Sequence, residues 1–300
     1  MPNKFPVPAG ACDCHMHFFG TEDRYPGAPE RAYTPYPRTD EQYRSMMEPL
    51  GFSRAVVVQP SAYGTDNRCT MDAVRSDASM RRAVAVIALS AHADELAELN
   101  RLGTRGIRFN IVTTGLPKGK TAGDVVEDAI QLVKPFGWHL QIFAPAGQIA
   151  EIAPVIRSSK VPIVLDHMGG ASGNRGVDDP DFQVVVDLLA EGHVWVKVSG
   201  SDRVMGYDMP GFEDVKDESS LAKAADIART LIDANPDNIV WGTDWPNITH
   251  PVGGRGNDSP RVTYRDLDAG VLLNVLRHSV DDEKVWHKIL VDNPTRLYDF

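Results

Sequence analysis

Eight short runs rich in β-branched and apolar residues recur along this 300-residue chain, each followed by an amphipathic stretch, and that alternation constrains the fold more than any other feature. The runs are Ala11 to Phe18, Arg54 to Ser61, Arg82 to Ala88, Gly106 to Ile111, His139 to Ala144, Pro162 to Met168, Val194 to Gly200 and Asn238 to Trp245. Between them the apolar spacing predicts helices over Asp40 to Leu50, Met71 to Met80, Ala93 to Leu102, Gly123 to Phe136, Gly147 to Arg157, Asp181 to Ala190, Leu221 to Ala234 and Leu267 to His278, with another over Asp281 to Leu297. Strands alternating with helices imply a parallel sheet, and eight is the number that closes one into a barrel. Gly51, Gly103, Gly137 and Gly192 fall just past helical segments, where glycine takes the left-handed conformation that ends a helix. An open doubly wound sheet would carry a glycine-rich fingerprint after the first strand, where histidines stand instead. The expected fold is therefore α/β, a (β/α)8 TIM barrel, with residues 1–300 forming one domain.

A net charge of -10 argues against a general nucleic-acid surface, but not against a local arginine cluster for a small anion. The first residues, Met1-Pro2-Asn3-Lys4-Phe5-Pro6, hold no apolar secretory core, and no run of eighteen apolar residues occurs, so the reading is a soluble cytoplasmic protein without a membrane partner. Homo-oligomerisation stays open. Cys12, Cys14 and Cys69 are odd in number and lack framework spacing, which fits reduced thiols. Because they alternate with His15 and His17, Cys12 and Cys14 are expected to face the covering helices, as packing groups.

In such a barrel the chemistry lies where the strands end. Strand one ends in His15 and His17, two imidazoles on one strand face that can grip a metal ion or polarise a carbonyl. Strand two ends Gln59-Pro60-Ser61, strand four holds Arg108 and Asn110, and strand six ends Asp166-His167-Met168-Gly169. Strand seven gives Lys197 and Ser199 before Asp202-Arg203, and strand eight ends Gly242-Thr243-Asp244-Trp245-Pro246. Long Gly-, Pro- and Asp-rich connections, Phe19 to Thr39, Gly169 to Pro180, Ser201 to Ser220 and Pro246 to Arg265, are of the length that builds a pocket.

His-x-His on strand one, Asp166-His167-Met168-Gly169 and Trp241-Gly242-Thr243-Asp244-Trp245-Pro246 together resemble the amidohydrolase superfamily, in the branch of lactonases similar to 2-pyrone-4,6-dicarboxylate lactonase and 4-sulfomuconolactone hydrolase. Val58-Gln59-Pro60-Ser61, Gly64-Thr65-Asp66-Asn67, Gly106-Ile107-Arg108-Phe109-Asn110 and Asn293-Pro294-Thr295-Arg296-Leu297-Tyr298 extend the likeness along nearly the whole chain. The resemblance implies a barrel of the amidohydrolase type that opens a small anionic lactone in aromatic catabolism. Asp244 would activate water, and His15, His17 and His167 would polarise the carbonyl. Arg108, Arg203, Gln59, Ser61, Asn110, Tyr33 and Asn247 would bind substrate. It implies no required cofactor, the alternative being one zinc ion on His15, His17, His167 and Asp244. Thr113-Thr114 replaces a basic residue of the branch, Phe143 a tyrosine and Asn247 a histidine, so the dicarboxylate pyrone itself is less expected than a related lactone. Arg108 in place of a bridging lysine argues against two metals.

Blander readings accompany these. Arg108 can pair with Asp13 or Asp166, Lys197 suits a barrel-interior ion pair better than catalysis, and Asp66 resembles a helix cap. Tyr33 and Tyr207 sit in mouth loops; among the other histidines, His92, His139, His193, His278 and His287 read as surface groups, and His250 lies after strand eight. Rival functions are a metal-dependent decarboxylase, which resembles the same barrel, a sugar-acid lactonase, and a non-catalytic barrel that would leave the histidines and aspartate unexplained.

Overall fold

In a computed structural model that describes residues 5–114, 116–204, 218–249 and 254–300, all eight expected strands form and pair in chain order. They are β1 (Cys12–Met16), β2 (Arg54–Val58), β3 (Arg81–Ala85), β4 (Thr104–Asn110), β5 (His139–Phe143), β6 (Ile163–Leu165), β7 (Val194–Val198) and β8 (Ile239–Trp241). Every pairing is parallel. Helices cover the outside, beginning with α1 (Asp40–Met47), α2 (Arg68–Arg75), α3 (Ala93–Arg101), α4 (Ala122–Val133) and α5 (Ala146–Ser158). They continue with α6 (Pro180–Ala190), α7 (Glu218–Ala234) and α8 (Ala269–Ser279), and a helical tail reaches Tyr298. The four glycines expected to end helices all have positive φ, from 65° at Gly137 to 99° at Gly103. Among the described residues no helix is long and apolar enough to cross a membrane.

Barrel closure and the mouth are one piece of structure. Beyond β8 the chain runs on to pair with the end of β1, with Asp244 N–H donating to the His15 carbonyl at 2.8 Å and His17 N–H to the Trp245 carbonyl at 2.8 Å. Gly242 is obligatory at this seam, since a Cβ there would lie 2.7 Å from the His15 Cβ.

Two buried layers follow from strand alternation. Outward residues such as Val57, Ile107, Ile142, Leu165 and Val196 pack with the helices. Inward ones, Val56, Val58, Val84, Val164, Trp195 and Val240, fill the lumen, and Tyr298 joins them from the tail. Cys12 and Cys14 belong to this lumen cluster, which corrects the expectation that they face the helices. The register jumps from Asp13↔Ala55 to Met16↔Val57. That bulge adds one residue, so Cys14 and His15 both turn inward. His139 corrects a second expectation: it is 2% exposed, its ring lying where a side chain at Gly106 on the neighbouring strand would stand.

Two strands were not expected. Thr34–Pro35 pairs in parallel with Arg261–Val262, tying the loop after β1 to the loop after β8.

Candidate active site

The strand ends enclose a cavity of about 430 Å³ lined by His17, Tyr33, Ser61, Arg108, Asn110, Phe143, His167, Arg203, Asp244 and Arg255, among others. That is the size of a small-molecule site. All four long connections contribute, through Tyr33, Gly170, Arg203 and Thr249 for example. Gln59 and Asn247, expected at the substrate, are placed elsewhere. Gln59 is fully buried, donating to the carbonyls of Gly64 and Asp66 and accepting from Thr70 Oγ1 at 2.6 Å, so it braces the loop after β2. Asn247 donates to the Thr243 carbonyl at 2.9 Å and shapes the turn after β8. Tyr207 and His250 lie outside the described residues, as do the side chains of Thr113 and Thr114.

At the cavity floor three imidazole nitrogens converge on one oxygen. Asp244 Oδ1 lies 3.4 Å from His17 Nε2, 3.6 Å from His15 Nε2 and 3.9 Å from His167 Nε2. Asp244 and His167 both sit at positive φ, 58° and 50°, so the turns that follow β8 and β6 swing their side chains inward. Asp13 braces the first of these, accepting from Thr243 N–H, Thr243 Oγ1 and Tyr43 OH, and also from His15 N–H.

A buried charge network supports the histidines from below. Asp166 accepts from Arg108 Nε at 2.8 Å and Gln141 Nε2 at 3.0 Å, while its other oxygen is 3.2 Å from His15 Nδ1 and 3.8 Å from Lys197 Nζ. Lys197 donates to Gln141 Oε1 at 2.7 Å and the Cys14 carbonyl at 2.9 Å. The ion-pair reading of Arg108 and Lys197 thus describes both side chains, and Arg108 lines the cavity as well. Burial pulls Lys197 down to about 8 despite Asp166. Burial alone would raise Asp166, but His15, Arg108 and Lys197 outweigh it and hold the carboxyl well below its usual range. Asp244 behaves likewise: burial is opposed by His167, His17, Arg203 and His15, and the net shift is strongly downward. Since burial lowers His167 to about 4 and His15 well below its usual value, Arg203, 3.1 Å from Asp244 Oδ2, supplies the permanent charge.

The His17 tautomer is fixed from behind. His17 Nδ1 is 2.7 Å from the Val58 carbonyl, which only accepts, so Nδ1 carries the proton and Nε2 offers a lone pair. His15 Nδ1 lies between the Asp166 carboxylate at 3.2 Å and Lys197 Nζ at 3.5 Å. His15 Nε2 is buried, faces the Asp244 carboxylate and has no hydrogen-bond partner among the described residues. The His17 lone pair and the Asp244 carboxylate repel unless a cation or a shared proton lies between them. His15, His17 and Asp244 fit a single divalent ion, because tetrahedral donors at about 2.0–2.2 Å from zinc stand about 3.3–3.6 Å apart. Backing of each ring by a carboxylate, carbonyl or hydroxyl, the last being Ser199 Oγ 3.0 Å from His167 Nδ1, is also what ligating histidines require.

Sequence reasoning missed Arg255, whose signal was its place in Gly253-Gly254-Arg255-Gly256 inside a long mouth loop. Phe143, noted only as a replacement, proves to be a wall: its ring meets His167 edge-on at 4.7 Å, with the Arg108 and Arg203 guanidinium carbons 5.4 and 6.0 Å from its centroid.

A family model described as amidohydrolase matches residues 12–300. The 2-pyrone-4,6-dicarboxylate hydrolase of Comamonas testosteroni is 34% identical over 98% of this chain and 92% of its own length. The 4-sulfomuconolactone hydrolase of Hydrogenophaga intermedia is 33% identical over 99% and 91%. A Pseudomonas putida structure, provisionally assigned as a 2-pyrone-4,6-dicarboxylic acid hydrolase, superposes with a TM-score of 0.77 at 25% identity, covering 98% of each chain.

Proposed function

Because the chain belongs to the amidohydrolase family, we propose that it hydrolyses small anionic lactones of the pyrone or muconolactone type in aromatic catabolism. One observation carries this reading: Asp244 and three histidine Nε2 atoms meet at the floor of a cavity whose other formal charges among the described residues are three arginines. Such a cavity attracts an anion and places a proton acceptor beneath it.

Water between Asp244 and the bound ring gives its proton to the carboxylate as its oxygen attacks the lactone carbonyl carbon. The carbonyl π electrons move to oxygen, and positive charge at the cavity floor stabilises that oxyanion. Collapse re-forms the carbonyl and breaks the ring C–O bond, with Asp244 returning the proton to the departing oxygen. The product is the ring-opened hydroxy acid, or its keto tautomer when the ring oxygen was enolic. Phe143 walls the site against stray water, and Arg203, on the far oxygen of Asp244, aims the other towards the histidines.

A carboxylate held so far below its usual range is a weak base, so the water must be acidified or the carbonyl strongly polarised. Zinc on His15, His17, His167 and Asp244 would supply both effects. Without it, a proton shared between His17 Nε2 and Asp244 Oδ1 resolves the same repulsion and serves as the donor to the oxyanion.

The test is turnover of 4-sulfomuconolactone, muconolactone and 2-pyrone-4,6-dicarboxylate by the wild-type protein and by Asp244→Asn. We expect the variant to fold, with an unchanged melting profile, and to lose activity by about 100- to 10,000-fold, since an amide cannot take the proton. Full activity in a folded Asp244→Asn protein sinks the mechanism. Chelation then separates the two floor arrangements: loss of activity restored by stoichiometric zinc assigns the charge to metal, whereas undiminished hydrolysis assigns it to the shared proton.

A further inference from the structure

Of the three arginines that line the cavity, two are already committed. Arg108 is bonded to Asp166 and Arg203 to Asp244, so both neutralise charges that belong to the site itself. Arg255 has no side-chain partner among the described residues, and it lines the same cavity.

The turn that carries it is rigidly specified. Gly254 and Gly256 flank it at φ 61° and 63°, in the left-handed region that disfavours any side chain. A Cβ at Gly254 would collide with the Asp258 carbonyl, and one at Gly256 would stand 2.5 Å from the Pro29 carbonyl. Gly256 N–H donates to the Arg31 carbonyl at 2.8 Å, Thr34 N–H to the Pro260 carbonyl at 2.8 Å, and the hydroxyls of Thr34 and Ser259 meet at 2.8 Å. These bonds continue into the short Thr34–Pro35 and Arg261–Val262 pairing, so the loop after β8 is latched to the loop that presents Tyr33. An arginine with only solvation to satisfy needs no such scaffold.

We infer that Arg255 is a specificity-determining residue that pairs with a second anionic group, a carboxylate or sulfonate, carried by the lactone away from its reacting carbonyl. The inference rests on the lactone-hydrolase reading of the site and adds the residue that selects among lactones. A guanidinium fork matches two oxygens of either anion, which a lysine does only as a point charge. Because Arg255 is exposed to solvent at the rim, the pairing is open to screening by salt.

Muconolactone and 4-sulfomuconolactone share a ring and a carboxylate and differ by the sulfonate, so their relative kcat/KM isolates the second anion. In Arg255→Met the preference for the sulfonated lactone falls about 10-fold, through KM, the size expected for one charged hydrogen-bonded pair. Arg255→Lys recovers part of it, and raising the salt concentration moves the wild-type ratio towards that of Arg255→Met. An unchanged ratio in Arg255→Met overturns the inference, as does an equal KM rise for both lactones, which signals a general structural role. If the wild-type protein turns over neither lactone, the reading of the site fails first. Calorimetric binding of isophthalate and benzoate then tests Arg255 alone. Preference for the dicarboxylate that disappears in Arg255→Met supports the pairing, and preference that persists removes it.

Discussion

The two ends of the barrel are built from the same strands yet satisfy polar groups in opposite ways. At the mouth, Arg108, Gln141, Asp166 and Lys197 are buried and tied into one network of charged hydrogen bonds, and Asp244 is paired with Arg203. Deeper in the barrel, Cys12, Val84, Val164, Trp195 and Val240 form an apolar floor. Among the described residues, both ring nitrogens of His139 and the Tyr298 hydroxyl, which reach this floor, have no hydrogen-bond partner. Both ends hold a neutral buried histidine, but only the mouth aims one at a carboxylate. Dense pairing therefore marks the end that does chemistry, and its groups should be costly to delete, whereas those of the floor should be cheap.

Lys197 offers the largest test, because its ammonium lies between the two ends, bonded to the mouth network and 5.8 Å from the Tyr298 ring centroid. Lys197→Met strands Gln141 Oε1 and the Cys14 carbonyl and leaves Asp166 leaning on Arg108. We expect a stability loss of about 3–5 kcal/mol in urea unfolding at neutral pH. A loss under about 1 kcal/mol would show that the network is not a cooperative unit.

His139 tests the floor through pH. Burial, with Lys197 adding to it, lowers its pKa to about 3. The folded pKa lies below the unfolded value, so below about 6.5 the unfolded chain binds a proton that the native protein refuses, and stability falls as pH drops from about 6.5 towards 3. The full slope is about 1.4 kcal/mol per pH unit for one proton. In His139→Gln the slope between about pH 6 and pH 4 should shrink by up to that amount. An unaltered slope would place the His139 proton in the folded state and give the floor a charge it is argued to lack. Asp13, raised to about 6 by burial, opposes the trend in the same window, so the comparison is between variant and parent, not with zero.

Much of this was legible in the sequence for physical reasons. The eight strands were readable because a parallel strand buried on both faces is nearly continuous in Val, Ile and Ala, as Arg54–Val58 and Val194–Val198 are. His15, His17, His167 and Asp244 could be placed together because barrel topology brings strand ends to one mouth. What failed were inferences that needed register. Cys14 turned inward through a single-residue bulge that no propensity marks, and His139 was buried by a glycine on the neighbouring strand. Arg255 could not be assigned to the cavity without the Thr34–Pro35 and Arg261–Val262 latch, a pairing of two-residue strands more than two hundred residues apart. Gln59 and Asn247 stand at strand ends like the true cavity residues, and only their hydrogen bonds reveal that they hold loops instead.

The smallest expected effect is the most discriminating. Tyr298 is fully buried, plugs the lumen from the helical tail and packs edge-on against His139 at 5.4 Å between ring centroids. Its hydroxyl makes no hydrogen bond to the described residues, and burial raises its pKa well above the usual tyrosine value, so it stays neutral. Tyr298→Phe keeps the ring and its packing while removing one desolvated, unpaired polar group. Deleting an unpaired group recovers its desolvation penalty, so the variant should be as stable as the parent or more stable, by up to about 1–3 kcal/mol. A matched loss at the mouth, where deleting Lys197 Nζ or Arg108 Nε abandons a partner, carries the opposite sign. Urea unfolding of Tyr298→Phe therefore decides whether the floor is apolar in substance: destabilisation by more than about 1 kcal/mol would mean that the hydroxyl is bonded to a trapped water, and that the two ends of the barrel satisfy their polar groups by the same rule.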